Sequence, residues 1–229
     1  MRINKFLSEA GVCSRREADR RVEAGRVEID GRVAVPGDQV NEKSVVTVDG
    51  KQVEGISKKV IFLLYKPVGY VCTESRREGR TVGELIEYPD RLFSVGRLDK
   101  DSEGLLLMTN DGDIVNHIMR ARYGHEKEYE VTVNAPVDES FIKGMSEGVP
   151  ILDTVTRKCG VKRTGERSFN IVLTQGLNRQ IRRMCEYFGY DVIRLKRVRI
   201  MDLRLGNLKP GEYRRVTEEE RKCLIRKSE

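Results

Sequence analysis

The chain has 229 residues, enough for a small domain together with a medium one. Lys and Arg number 43 against 36 Asp and Glu, a net charge of +7 that favours an anionic partner such as nucleic acid. No apolar run reaches the roughly 18–20 residues of a membrane span, and the N-terminus lacks the apolar segment of a signal peptide. We therefore expect a cytoplasmic protein with no membrane partner.

Cysteine and histidine usage excludes two further classes of site. The five cysteines are scattered without a CxxC pair, and their odd number in a cytosolic chain indicates reduced thiols. With only two histidines, His117 and His125, a zinc site and a Ser-His-Asp mechanism are both disfavoured.

The first 53 residues predict a compact αα-ββ domain. Apolar residues recur at helical spacing over 3–10 and stop at Gly11. A capping-box sequence from Ser14 to Glu17 opens a second helix, which stops at Gly25. Two short alternating apolar runs follow, each next to an Asp-Gly pair typical of hairpins.

The second helix carries a cluster of arginines, which by itself could be a solvated helix face. However, the order of elements resembles the S4 RNA-binding domain, through Arg2-Ile-Asn-Lys-Phe-Leu, Ser14-Arg-Arg-Glu-Ala and Gly25-Arg-Val-Glu-Ile-Asp-Gly. The resemblance implies that Arg15, Arg16 and Arg20 contact RNA phosphates. A guanidinium suits that task because it pairs with phosphate oxygens bidentately.

Small polar residues at 54–59 predict a linker, so the second domain is expected over 60–229. Its first apolar strand run ends at Lys66, where a Pro-Val-Gly sequence forces a turn. Further apolar runs at 92–95 and 105–109 flank a loop rich in acidic residues.

That acidic loop admits several interpretations from its residues alone. Asp99, Asp101 and Glu103 alternate, which suits a solvated turn or a Mg²⁺ or Ca²⁺ loop, although the extended ligand series of an EF-hand is missing. Asp99 and Asp101 could also be the carboxylate pair of a glycosidase acting on a nucleoside.

A resemblance favours another chemistry for the same loop. Gly96-Arg97-Leu98-Asp99, followed by Ser102-x-Gly104 and three leucines, resembles the signature of pseudouridine synthases that modify small- and large-subunit rRNA. It implies that Asp99 is the catalytic residue and that Arg97 fills the space left by the flipped base. It implies no cofactor and no metal, because the reaction is an isomerisation.

Two later segments agree with this resemblance. In the strand pattern at 126–131, Lys127 and Tyr129 share one face, and the family's tyrosine at this position stacks on the target base. Leu195 matches the apolar residue that packs beneath that base. Lys66 and Lys127 complete the candidate substrate-binding set.

The segment 173–184 predicts a strand, a turn and a helix, with Gly176 and Asn178 forming the turn and the cap. Its Arg-Gln-Ile-Arg sequence resembles the third motif of the family. The final arginine of that motif forms a salt bridge with the catalytic aspartate, which implies a pair between Arg182 and Asp99.

The resemblance covers the whole chain and implies an α+β fold. We expect a small N-terminal S4-type αα-ββ domain and a catalytic domain with a long, bent, mostly antiparallel sheet flanked by helices. The implied activity is isomerisation of chosen uridines in rRNA, of the large subunit by subtype, with tRNA left open as a substrate. A monomer is expected, because RNA supplies the large interface.

The main alternative is a non-catalytic S4-domain protein of ribosome assembly. It explains the basic charge and the first domain. It does not explain why the segments of Asp99, Tyr129 and Arg182 occur together and in the family's order.

Overall fold

The computed structural model describes residues 1–55, 58–73, 76–119 and 124–226. Residues 56 and 57 of the expected linker lie outside the described residues. The chain forms two compact units. The first consists of Met1–Val60, Tyr88–Phe93 and Asn110–Gly112, and the second consists of Ile61–Glu87, Ser94–Thr109 and Asp113–Glu229. The first unit thus takes in two short segments that the sequence assigns to the second domain.

The first unit has two helices followed by a small sheet. Its elements are α1 Ile3–Glu9, α2 Arg15–Glu23, β1 Val27–Ile29, β2 Arg32–Val33, β3 Val46–Val48 and β4 Lys51–Gln52. The strands pair antiparallel in the order β2-β1-β3-β4. The apolar faces of both helices pack with β1 and β3 in one core that includes Leu7, Val22 and Val27. The αα-ββ prediction is confirmed.

Local sequence signals explain where these elements begin and turn. The Ser14 hydroxyl accepts a hydrogen bond from the Glu17 amide at 3.2 Å, as expected of an N-cap. The Glu17 carboxylate, however, pairs with Arg20 and Arg21. Asp30 adopts a left-handed backbone, with φ of +52°, in the turn between β1 and β2.

A large mixed sheet dominates the second unit. The strands of the remaining described chain are β5 Ile61–Lys66, β6 Phe93–Val95, β7 Glu103–Thr109, β8 Lys127–Val133, β9 Pro150–Ile151, β10 Thr154–Val155, β11 Gly160–Gly165, β12 Ser168–Leu173, β13 Val192–Ile200, β14 Leu203–Arg204 and β15 Tyr213–Arg215. The main path is β11-β12-β8-β13-β7-β5-β15, with β14 beside β13 and β6 beside β7. Along this path, as far as the structure describes it, only β13 and β7 run parallel. The mostly antiparallel sheet is as expected.

The helices of this part are α3 Gly112–Met119, α4 Glu139–Glu147, α5 Gln180–Tyr187 and α6 Glu218–Arg226, with short 3-10 turns at Arg76–Glu78 and Val82–Leu85. Two apolar cores stabilise the sheet. Phe141 of α4, Phe169 of β12 and Met184 of α5 belong to one, and Leu105 and Leu107 of β7 with Leu63 of β5 belong to the other. None of the described helices is long and apolar enough to cross a membrane.

Parallel pairing of β7 with β13 requires an unusually close approach at Gly104. This residue has φ of +108°, a conformation that side chains rarely adopt. A Cβ atom built on it would lie 2.7 Å from the Arg197 nitrogen and closer still to the Arg197 carbonyl oxygen. Glycine is therefore required where β7 leaves the acidic loop.

Candidate active site

A cavity of about 670 Å³ opens in the second unit, over the middle of the sheet. Strands β8, β12 and β13, the acidic loop and the turn before α5 contribute its walls. The lining includes Asp99, Arg97, Tyr129, Lys127, Leu195, Arg179 and Arg197. Five of the residues that the sequence singled out therefore meet in one place, although they are spread over a hundred positions of the chain.

The backbone of the loop that carries Asp99 is held from several sides. The Ser102 amide donates to the Asp99 carbonyl at 3.1 Å, which closes a turn, and the Gly69 amide donates to the Lys100 carbonyl at 2.8 Å. Leu98 is buried and anchors the start of the loop. Asp99 itself keeps a half-buried side chain at the cavity. Such fixed geometry is what an enzyme needs to hold a reacting group.

The side chain of Lys66 does not lie at the cavity, where its predicted role in substrate binding would require it. Its side chain is fully buried, and its ammonium donates to the carbonyl oxygens of Ser102 at 2.6 Å and Pro67 at 3.0 Å. It is not part of the cavity lining. Burial lowers the pKa of Lys66, although nearby groups including Asp101 oppose that shift. The structure therefore makes Lys66 a support of the acidic loop, because its donors are directed to backbone carbonyls.

The expected salt bridge between Arg182 and Asp99 is not what the structure contains. The guanidinium nearest to Asp99 belongs to Arg179, at 3.7 Å. Arg182 lies 3.3 Å from the carboxylate of Asp101 and donates to the Asp101 carbonyl at 2.9 Å and to the Val192 carbonyl at 3.0 Å. This arginine is fixed between the acidic loop and β13, and the loop residue that it contacts is Asp101, two positions after Asp99.

The carboxylate of Asp101 contacts both Arg179 and Arg182. Its carboxylate accepts two hydrogen bonds from Arg179, at 3.2 and 3.0 Å. Burial opposes ionisation of Asp101, but the hydrogen bond from Arg179 and the charge of Arg182 outweigh burial and hold its pKa below the ordinary value. A carboxylate committed to two guanidinium groups is poorly suited to act as the second carboxylate of a glycosidase.

The turn before α5 explains how Arg179 reaches the acidic loop. Arg179 has a left-handed backbone, with φ of +49°, immediately before the helix begins at Gln180. The Gln180 side chain accepts from the Leu177 amide at 3.0 Å. The prediction that Asn178 caps this helix is therefore wrong, because Asn178 lies one position too early and instead accepts from Arg183.

Tyr129 and Leu195 lie on neighbouring strands at the cavity. In the β8–β13 register, Tyr129 is opposite Arg197 and Val131 is opposite Leu195. Tyr129 is half-buried and Leu195 is buried, so an aromatic ring and an apolar side chain are both available to a planar base. Lys127 also lines this wall; burial, followed by the charge of Arg197, lowers its pKa.

The basic residues of the first unit are exposed on α2. Arg15, Arg16 and Arg20 all face solvent. Arg20 pairs with Glu17 at 2.9 Å, whereas neither Arg15 nor Arg16 has an ion pair among the described residues. Their guanidinium groups are thus available to an anionic partner.

Sequence reasoning missed two arginines of the cavity, Arg179 and Arg197. Both lie in the stretch 176–199, which contains seven Lys and Arg residues and by itself indicates a patch that faces phosphate. The left-handed turn that directs Arg179 towards the acidic loop depends on the packing of α5, and the depth of Arg197 depends on its pairing with β7. Neither follows from spacing along the chain.

Comparison with known proteins agrees with this geometry. The RNA pseudouridylate synthase family matches residues 60–187, and the S4 domain family matches residues 1–46. The Escherichia coli K12 protein "Dual-specificity RNA pseudouridine synthase RluF" is 51% identical over 96% of this chain and 77% of its own length. An "Uncharacterized RNA pseudouridine synthase" of Aquifex aeolicus is 40% identical over 96% of this chain and 92% of its own.

A solved structure described as "Crystal structure of pseudouridylate synthase" aligns with a TM-score of 0.73 and 29% identity, over 98% of this chain and all of that one. The chain therefore belongs to the RNA pseudouridylate synthase family. It is an S4-domain pseudouridine synthase, an enzyme that isomerises uridine to pseudouridine in RNA. The predicted fold, family and reaction are confirmed.

Proposed function

We propose that this enzyme modifies a chosen uridine of large-subunit rRNA, with Asp99 as the catalytic residue. The observation that carries the proposal is the placement of Asp99 in a rigid turn at the cavity, with an arginine 3.7 Å from its carboxylate. Residues 1–53 bind RNA in this proposal, and residues 60–229 carry out the reaction. The enzyme acts as a cytoplasmic monomer.

The reaction begins when the target uridine leaves its stack, at a cost of a few kcal/mol. Arg97, exposed at the cavity, occupies the space that the base vacates. Tyr129 stacks on the flipped uracil, and Leu195 packs beneath it. Stacking and apolar contact hold a base without reading a sequence.

Asp99 then acts at the sugar or at the base. An ionised carboxylate can attack C1′, add to C6 of the base, or stabilise positive charge on the ribose while the base detaches. The hydrogen bonds that fix the turn at 99–102 support any of these roles, because each needs the carboxylate at one place. Arg179 supplies positive charge next to Asp99, and Arg182 and Lys66 position the turn.

A mapping experiment tests the substrate. Unmodified large- and small-subunit rRNA transcripts and tRNA transcripts are incubated with the enzyme, and new pseudouridines are located by carbodiimide labelling and reverse-transcription stops. We expect one stop in large-subunit rRNA that Asp99→Ala does not produce. Stops confined to tRNA would overturn the rRNA proposal.

Transfer RNA is the second candidate substrate. The relatives from Escherichia coli and Salmonella typhi carry the words "dual-specificity" in their names, which supports a search for a second RNA target here. If stops occur in both RNAs, their relative rates at equal concentration decide which RNA is preferred.

Removal of Arg15 and Arg16 should weaken RNA binding and flatten its salt dependence. Each phosphate contact contributes about 0.7–0.9 to the slope of log K against log salt. The double variant Arg15→Ala, Arg16→Ala should lose that contribution at both positions in a titration from low to high salt. Arg26→Ala is the matched control, because Arg26 is exposed but already pairs with Asp49 at 2.6 Å. Identical slopes for the wild type and the double variant would show that α2 does not bind phosphate.

Arg182→Lys should show that Arg182 positions the acidic loop and does not bind RNA. Lysine cannot reach the Asp101 and Val192 carbonyls together, and the loss of one such hydrogen bond, which is part-buried at Val192 and exposed at Asp101, costs about 0.5–1.5 kcal/mol of stability. We expect a lower Tm and a lower kcat, with unchanged RNA affinity. Arg183→Lys is the control, because Arg183 bonds at the surface to Asn178. A kcat equal to that of the control would contradict the positioning role.

A further inference from the structure

Arg197 is a buried arginine in the wall of the cavity, and one of its buried nitrogens has no partner among the described residues. Only 3% of the residue is exposed. Its Nε donates to the Leu105 carbonyl at 2.7 Å, which fixes the side chain, but its Nη2 has no hydrogen-bond partner among the residues that the structure describes. Because a buried polar group without a partner costs free energy, such a group needs an explanation.

The surroundings of Arg197 indicate what it meets. It is the cross-strand partner of Tyr129 and lies two positions after Leu195, so all three side chains are on one face of the sheet. These are the residues that hold the target base in the proposed function. Arg197 and Lys127 make this wall cationic, since the charge of Arg197 contributes to the lowered pKa of Lys127.

We propose that Arg197 is a further catalytic residue, whose Nη2 donates a hydrogen bond to a carbonyl oxygen of the flipped uracil. This inference rests on the proposed function, which places that base between Tyr129 and Leu195. When the N1–C1′ bond breaks, its electron pair stays with the uracil, and the negative charge spreads from N1 to the O2 and O4 oxygens. A donor fixed in a water-poor wall stabilises that charge more than the neutral base.

The remaining steps balance without a further reactant. The electron-deficient C1′ is stabilised by Asp99 until C5 of the rotated uracil bonds to it. The proton on C5 then departs and N1 gains one, so that the product is an isomer of the substrate. Arg197 keeps its own proton throughout, because a guanidinium is not deprotonated in proteins.

A phosphate is a poorer match for this position. The phosphodiester chain remains joined to the neighbouring nucleotides, so it stays outside while the base enters the cavity. Arg97 and Arg179 are more exposed than Arg197 and are the groups that a phosphate meets first. The depth of Arg197 therefore favours the base.

The test compares two bases under single-turnover conditions. RNA that the enzyme modifies is prepared with uridine or 5-fluorouridine at the target position. After each reaction time the RNA is digested, and the amount of unreacted target nucleoside is measured to give the rate. Fluorine withdraws electrons and stabilises the base anion, so cleavage of 5-fluorouridine depends less on the donor. Arg197→Met should lose about 100-fold in rate on uridine, as enzymes do when one such donor is removed, and clearly less on 5-fluorouridine. RNA affinity should not change.

Two further variants keep the result interpretable. Arg199→Met is the control, because Arg199 lies on the same strand but pairs with Glu126 and Glu128 and does not line the cavity. Arg197→Lys serves as a second variant in case Arg197→Met folds poorly. It keeps a cation in the wall of the cavity and should retain part of the uridine rate. Equal losses on both bases, or a loss of affinity alone, would overturn the proposal. Turnover by Asp99→Asn would instead count against the proposed function.

Discussion

Asp99→Asn should abolish turnover while leaving the fold and the RNA affinity intact. Asparagine has nearly the same shape as aspartate and can occupy the same turn, whose bonds come from the backbone of Asp99, Lys100 and Ser102. It carries no negative charge, so it can neither attack as a carboxylate nor stabilise a cationic ribose. Loss of a residue that takes part in covalent chemistry costs on the order of 10⁴–10⁶ in rate.

Three measurements check this result together. Pseudouridine formation on a single target RNA gives the rate, filter binding gives the affinity, and thermal unfolding gives Tm. Asp101→Asn is a useful comparison, because Asp101 anchors Arg179 and Arg182, and its loss should lower Tm as well as the rate. If Asp99→Asn loses affinity as much as rate, Asp99 is a binding residue and the assignment of the catalyst is wrong.

The acidic loop could be found from the sequence because its features are local, and the family resemblance then selected Asp99 as the proposed catalyst. Gly96 to Gly104 is a short continuous segment, and its glycines, its acidic residues and the flanking apolar strands can be interpreted without knowing the rest of the fold. The same holds for the S4-type helices, which depend on the caps and spacing of the first 25 residues. Local hydrogen bonds and hydrophobic periodicity are enough for such features.

Pairings between distant segments could not be obtained in this way. The motif resemblance assigned Arg182 to Asp99, but the left-handed backbone of Arg179 brings a different guanidinium to that carboxylate. Lys66 was expected at the substrate and instead supports the loop, because the β5–β7 pairing buries its ammonium next to the Ser102 carbonyl. A difference of one helical turn or one strand face decides such contacts, and only the packed structure contains that information.

Gly104 belongs both to the sequence signature at 96–104 and to the parallel pairing of β7 with β13. Its φ of +108° and the nearness of the Arg197 backbone allow β7 to run parallel to β13 directly after the acidic loop. This pairing brings the segment that follows Asp99 next to the strand that carries Leu195 and Arg197. The glycine of the signature is therefore needed for assembly of the cavity as well as for the turn.

Gly104→Ala should consequently be strongly destabilising. The added methyl group would overlap backbone atoms of Arg197, which cannot move aside as a flexible side chain would, and the positive φ adds strain. Substitutions with such defined steric causes reach about 4–5 kcal/mol, which in a protein of this size lowers Tm by about 10 °C or more.

Calorimetric melting of the purified variants provides the measurement. Gly160→Ala is the matched control, because Gly160 also lies in a strand, but its Cβ would make only an ordinary contact of 3.9 Å with Val172. We expect Gly160→Ala to melt near the wild type, and Gly104→Ala either to melt far below both or to fail to accumulate as folded protein. Equal melting of the two variants would show that β7 can shift away from β13, and the close approach would then not be a requirement of the fold.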